Sequence, residues 1–239
     1  MSEELKALVL AAASIAFFHT LLGPDHYLPF IMMSWARRWS AVKTALITLI
    51  CALGHIAGSV VLGLLGVSLG WAVRGLETGE AARGTLAAWL LIAFGLAYLI
   101  WGLRFLYRRK PHQHRHPHLA DASHPHVHRH SHLGEHTHVH DLDSARTVTP
   151  WVLFVIFVFG PCEPLIPFLM YPAAKGGLPD LVLVTAIFGV VTTATMLGAV
   201  FLGRAGFDFL PLKKIQHYSH ALAGATILLC GLAIQFLGL

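Results

Sequence analysis

Charge is what this chain has least of. Asp, Glu, Lys and Arg make up 12% of its 239 residues, about half of the roughly 25% that a soluble protein carries. An ordinary soluble domain is therefore excluded, since too little polar surface remains to cover one. Cysteine is scarce as well. Cys51, Cys162 and Cys230 all sit in apolar sequence and make neither a disulfide framework nor a zinc module. No glycine-rich segment ends in Gly-Lys-Ser or Gly-Lys-Thr, which rules out ATP hydrolysis by a phosphate-binding loop. The chain opens without a basic leader, and His19, Asp25 and His26 interrupt its first apolar tract. That tract reads as a mature helix and not as a cleaved signal. Nothing points to an enzyme or an organic cofactor. The net charge of +5 follows from basic loops and needs no nucleic-acid partner.

Apolar sequence is what the chain has in abundance, at 56% hydrophobic residues and a mean hydropathy of +0.65. Six apolar tracts cover residues 5–33, 44–69, 86–106, 151–172, 181–202 and 219–239. Each reaches the ~20 residues that a helix needs to cross ~30 Å of hydrocarbon. The expectation is an all-α membrane protein of six transmembrane helices. Lys and Arg set the orientation. Arg37, Arg38 and Lys43 follow the first tract, Arg108, Arg109 and Lys110 the third, and Arg204, Lys213 and Lys214 the fifth. In the second loop Arg74 and Arg83 are matched by Glu77 and Glu80. Odd-numbered loops are then cytoplasmic and both termini face outward, in a bacterial-type inner membrane. The many small residues suit tight packing within one chain or in a homo-oligomer.

A faint repeat links the first and fourth tracts. Gly23-Pro24-Asp25-His26-Tyr27-Leu28-Pro29-Phe30 is echoed by Gly160-Pro161-Cys162-Glu163-Pro164-Leu165-Ile166-Pro167-Phe168. The pattern predicts two three-helix halves of inverted topology, residues 1–110 and 148–239, with helices 1 and 4 broken by Gly and Pro. The segment 111–147 would join them as a disordered cytoplasmic loop.

Ionisable side chains in hydrocarbon cost several kcal/mol unless they are paired or face a cavity. Here they are His19, Asp25, His26, His55 and Glu163, with Cys162 as a soft neighbour. Imidazoles with carboxylates suit Ni2+, Co2+, Zn2+ or Fe2+ better than Na+, Mg2+ or Cu+. The metal is read as the substrate. Twelve of the seventeen histidines fall in the loop: His112, His114, His116, His118, His124, His126, His128, His130, His132, His136, His138 and His140. With few apolar residues the loop cannot fold alone. It offers many weak ligands that would capture metal beside the membrane.

His19, Asp25 and His26 in an early helix, followed by a histidine-rich third loop, resemble the nickel/cobalt transporter and urease-accessory-like membrane proteins of the lysine-exporter-like superfamily. The resemblance implies a secondary transporter of Ni2+ or Co2+, with His19, Asp25 and His26 at the metal path. Pro161-Cys162 bears a weaker likeness to membrane thiol-reductant transporters, which carry a Pro-Cys in each of two halves. Export of a divalent transition metal is the leading expectation. An anion or small-metabolite exporter would use the helix breaks as dipole ends. A thiol-relay or metal-delivery accessory protein would use Cys162.

Overall fold

Hydrocarbon offers no partner to a bare N–H or C=O, so an apolar tract that crosses it closes its own hydrogen bonds by coiling. The computed structural model describes residues 2–68, 73–108, 112–115, 127–130, 141–160, 162, 164–174, 177–209 and 215–238. Among them α1 (Glu3–Leu22) is capped by the Ser2 hydroxyl and runs to Gly23, where one 3-10 turn, Pro24–His26, leads into α2 (Leu28–Ala36). Then come α3 (Ala41–Ser68) and α4 (Val73–Arg108). The strands β1 (His112–Arg115) and β2 (Val127–His130) pair antiparallel, with His112 opposite His130. The second part holds α5 (Asp141–Phe159), α6 (Leu165–Ala174), α7 (Leu178–Phe209) and α8 (Ser219–Leu237).

Five of these helices are long and apolar enough to cross a membrane: Glu3–Leu22, Ala41–Gly66, Thr78–Tyr107, Leu178–Phe207 and Gln216–Leu237. The chain is thus a multi-pass helical membrane protein. The expected six helices in two inverted three-helix halves are not what the fold shows. The tract 151–172 is not one helix, because the chain leaves α5 at Gly160 and restarts in α6 after Pro164. Its apolar pieces are Thr149–Phe159 and the ten residues of α6, and neither reaches the ~20 residues of a full crossing. The second loop differs too. Helix α4 begins at Val73, so Glu80 and Arg83 lie inside a helix and not in a solvated connection.

Helices α4 and α8 pack closest, through glycine. A Cβ on Gly95 or Gly102 would land 2.4 or 2.7 Å from the α8 backbone, and one on Gly224 would land 2.3 Å from that of α4. Backbones that approach this closely exchange dispersion contacts that larger side chains would prevent. Helix α1 lies on α7, and α3 on α5 and α7. One buried cluster gathers Phe30, Met33, Leu153, Met196 and Ile227. A second gathers Ala16, Cys162, Leu165, Val184 and Phe188. The outer faces stay apolar, as at Leu22, Trp151 and Leu202, which is the surface that lipid tails require. Near the α2–α3 turn, Arg37 donates to the Tyr98 hydroxyl at 3.0 Å and to Thr149 Oγ1 at 2.9 Å, and Arg204 donates to the Trp39 carbonyl at 2.7 Å.

Candidate metal centre

The centre grows out of the two places where the chain cannot stay helical. Pro24 has no N–H to continue α1, and Pro29 sits in the first turn of α2. Between them the backbone makes one tight turn that folds Asp25 and His26 back over Gly23. A Cβ at Gly23 would lie 2.6 Å from His26 Nδ1 and 2.9 Å from Asp25 Oδ1. Glycine is what lets the turn close. The second break brings Cys162 inward, completely buried, with its carbonyl accepting from the Leu165 N–H at 2.9 Å to start α6. His55 comes from the middle of α3. A Cβ at Gly160 would lie 3.1 Å from its Nδ1, so α5 ends against this imidazole.

Ligand atoms of His19, His55 and Cys162 all lie within 4.8 Å of one another. The His26 ring stands edge-on between the two histidines, its centroid 5.0 Å from that of His19 and 5.3 Å from that of His55. His19, Asp25, His26, His55, Phe157 and Gly160 border a cavity of about 330 Å³. A first-row ion bound at about 2.0–2.3 Å holds tetrahedral ligands roughly 3.3–3.8 Å apart, so the side chains need only a modest inward movement to share one ion.

Hydrogen bonding fixes which nitrogen of two of these rings, His26 and His55, is free. His26 Nδ1 faces only acceptors, the Gly23 carbonyl at 3.2 Å and Asp25 Oδ1 at 3.2 Å, so it carries the proton. His55 Nδ1 donates to the Phe157 carbonyl at 3.3 Å. The neutral tautomer that results puts the lone pair on Nε2. The Nε2 atoms of His19, His26 and His55 are all buried without a hydrogen-bond partner. Three partnerless imidazole nitrogens, those of His26 and His55 bearing lone pairs, beside a buried thiol are the chemistry of a metal site.

Of the residues expected from the sequence, His19, His55 and Cys162 bring their ligand atoms together, and the His26 ring packs against both histidines. Asp25 contacts the far nitrogen of His26 and is not among the three clustered ligands. Glu163 lies outside the described residues. His112, His114, His128 and His130 fall in the hairpin, whereas His116, His118, His124, His126, His132, His136, His138 and His140 lie outside the described residues. Cys51 and Cys230 are buried in the other core cluster. Sequence reasoning missed Glu80, which is completely buried and accepts from the Cys162 N–H at 3.3 Å. The three-residue spacing of Glu80 and Arg83, immediately before an apolar run, was the available signal.

Residues 28–236 match the cytochrome c biogenesis protein transmembrane region family. The chain belongs to that family. The resemblance to nickel/cobalt transporters and urease-accessory-like proteins is thereby overturned as a family assignment. No curated protein and no solved structure matches the chain. The matched residues include His55 and Cys162. The nickel/cobalt resemblance rested on His19, Asp25 and His26, which precede the first matched residue, and on six helices and the histidine-rich loop.

Proposed function

We propose that this chain is a secondary transporter of divalent transition-metal ions, with Ni2+ and Co2+ as the leading substrates. The ion would pass outward from the cytoplasm through a centre made by His19, His26, His55 and Cys162. The observation that carries the reading is the set of three buried Nε2 atoms without partners. Each unpaired buried group costs about 1–3 kcal/mol, and an ion held by His19, His55 and Cys162 would relieve two of them directly, with the His26 ring against both histidines. Asp25 and the Phe157 carbonyl support it, because a second acceptor behind a metal-bound imidazole orients the ring and raises its basicity. Three nitrogens and one sulfur suit cobalt, nickel or zinc. The loop histidines would raise metal concentration at the cytoplasmic face without building a rigid site. In this reading the protein is a carrier and catalyses no covalent chemistry.

Purified protein in liposomes loaded with a metal-sensitive dye tests it. Ni2+ or Co2+ should cross with the parent and not with His55→Ala. Failure of the parent to move either ion, or equal transport by His55→Ala, would remove the reading.

The family's description, together with the fully buried Cys162, favours one second reading: a membrane accessory protein that hands on electrons or metal. Loss of cytochrome c maturation in cells carrying Cys162→Ser, with no metal transport by the parent in liposomes, would select it.

A further inference from the structure

A buried ion pair sits where the metal reading does not use it. Glu80 and Arg83 stand one turn apart in α4, with side chains 0% and 16% exposed. Arg83 Nη1 donates to Glu80 Oε1 and, at 3.1 Å, to Ser59 Oγ. Its Nη2 donates to the Val158 carbonyl at 2.7 Å and to the Gly160 carbonyl at 3.3 Å. These two carbonyls lie at the C-terminal end of α5, where no further helical N–H arrives to pair them. The other carboxylate oxygen, Glu80 Oε2, accepts from the Cys162 N–H at 3.3 Å and from the Ser59 hydroxyl at 3.4 Å.

The pair therefore grips the break between α5 and α6 from both sides, the guanidinium on the end of α5 and the carboxylate on the residue that bears the thiol. Room for it comes from Gly58, where a Cβ would lie 2.6 Å from Arg83 Nη2 and 2.6 Å from the Val158 carbonyl. A buried ion pair adds little to stability against an apolar replacement of the same shape. Its placement on the backbone of the break gives it a different use.

We propose that Glu80 and Arg83 are positioning residues that hold the Cys162 thiol in place against His19 and His55. The purpose of that placement rests on the metal reading, but the placement itself is tested without metal. Arg83→Lys keeps a positive charge beside Glu80 and loses the planar fork that spans two carbonyls. Ser59→Ala is the milder variant.

Single-cysteine proteins retaining either Cys162 or Cys230 are treated, metal-free in detergent, with N-ethylmaleimide. Arg83→Lys should speed alkylation of Cys162 about tenfold or more, because local opening of the break exposes the thiol. Cys230 should stay within about twofold of its parent rate. Ser59→Ala should give an intermediate acceleration at Cys162, and it carries the test if Arg83→Lys does not fold. Unchanged Cys162 rates, or equal acceleration at both cysteines, would overturn the positioning role.

Co2+ supplies the second readout. The parent should show a thiolate-to-Co2+ charge-transfer band that Arg83→Lys weakens at unchanged Co2+ stoichiometry. A band of equal strength in the variant overturns the positioning. A parent that binds no Co2+ overturns the metal reading, and the alkylation rates still decide the role of Glu80 and Arg83.

Discussion

Asp25 Oδ1 lies 3.2 Å from His26 Nδ1, on the side of the ring away from the unpaired Nε2. Asp25 borders the cavity, but its Oδ1 is engaged with the far nitrogen of the His26 ring, and its loss should weaken the centre without dismantling it. Asp25→Asn should lower Co2+ affinity about 10–100-fold while the site still fills at high metal. Titration followed by the visible Co2+ spectrum checks this.

Gly23→Ala should do more damage than its size suggests. The added methyl would meet His26 Nδ1 at 2.6 Å and Asp25 Oδ1 at 2.9 Å, so the turn has to open. Forcing a methyl into a packed site costs about 1–3 kcal/mol, and here the displaced atoms are those of the centre. Co2+ binding should fall below that of Asp25→Asn, with a lower Tm in detergent.

The glycines of the α4–α8 contact are separable from those that touch nothing. Gly224→Ala places a Cβ 2.3 Å from the Leu99 N–H nitrogen, whereas Gly198→Ala meets nothing within 4 Å. The first should destabilise by at least about 1–3 kcal/mol. The second should be neutral or stabilise by about 0.5–1 kcal/mol, as alanine does in a helix interior. Thermal unfolding of both variants beside the parent checks the contrast.

Removing residues 111–140 should separate capture from passage. The segment holds many interchangeable histidines, so transport at saturating Ni2+ should stay near the parent level and fall at low Ni2+. Uptake by proteoliposomes across a range of Ni2+ concentrations checks this.

Much of the fold was readable because hydrocarbon leaves so few choices. Long apolar runs had to be helices, and Gly23-Pro24 marked where α1 stops. The spacing of His19 and His26 placed them near each other, and His55 was conspicuous as an imidazole in the second stretch of apolar sequence. The start of α4 was not readable, because Glu80 and Arg83 look like loop charges until Ser59, Val158 and Cys162 arrive from α3 and the α5–α6 break to satisfy them. The tract 151–172 has the hydropathy of one crossing, but Gly160 and Pro164 divide it into two short helices. Hydropathy sums over that division; the Gly160-Pro161 repeat announced a break, but not that neither piece would be long enough to cross. Asp25 looked like a ligand by its cost in hydrocarbon. Only the geometry shows that its oxygen is spent on His26.

The most direct measurement is the Co K-edge absorption of the protein lacking residues 111–140, loaded with one equivalent of Co2+. The account predicts nitrogen scatterers at about 2.0–2.1 Å and one sulfur at about 2.3 Å, with the sulfur lost in Cys162→Ser. An all-oxygen shell, or no ion retained, would contradict it.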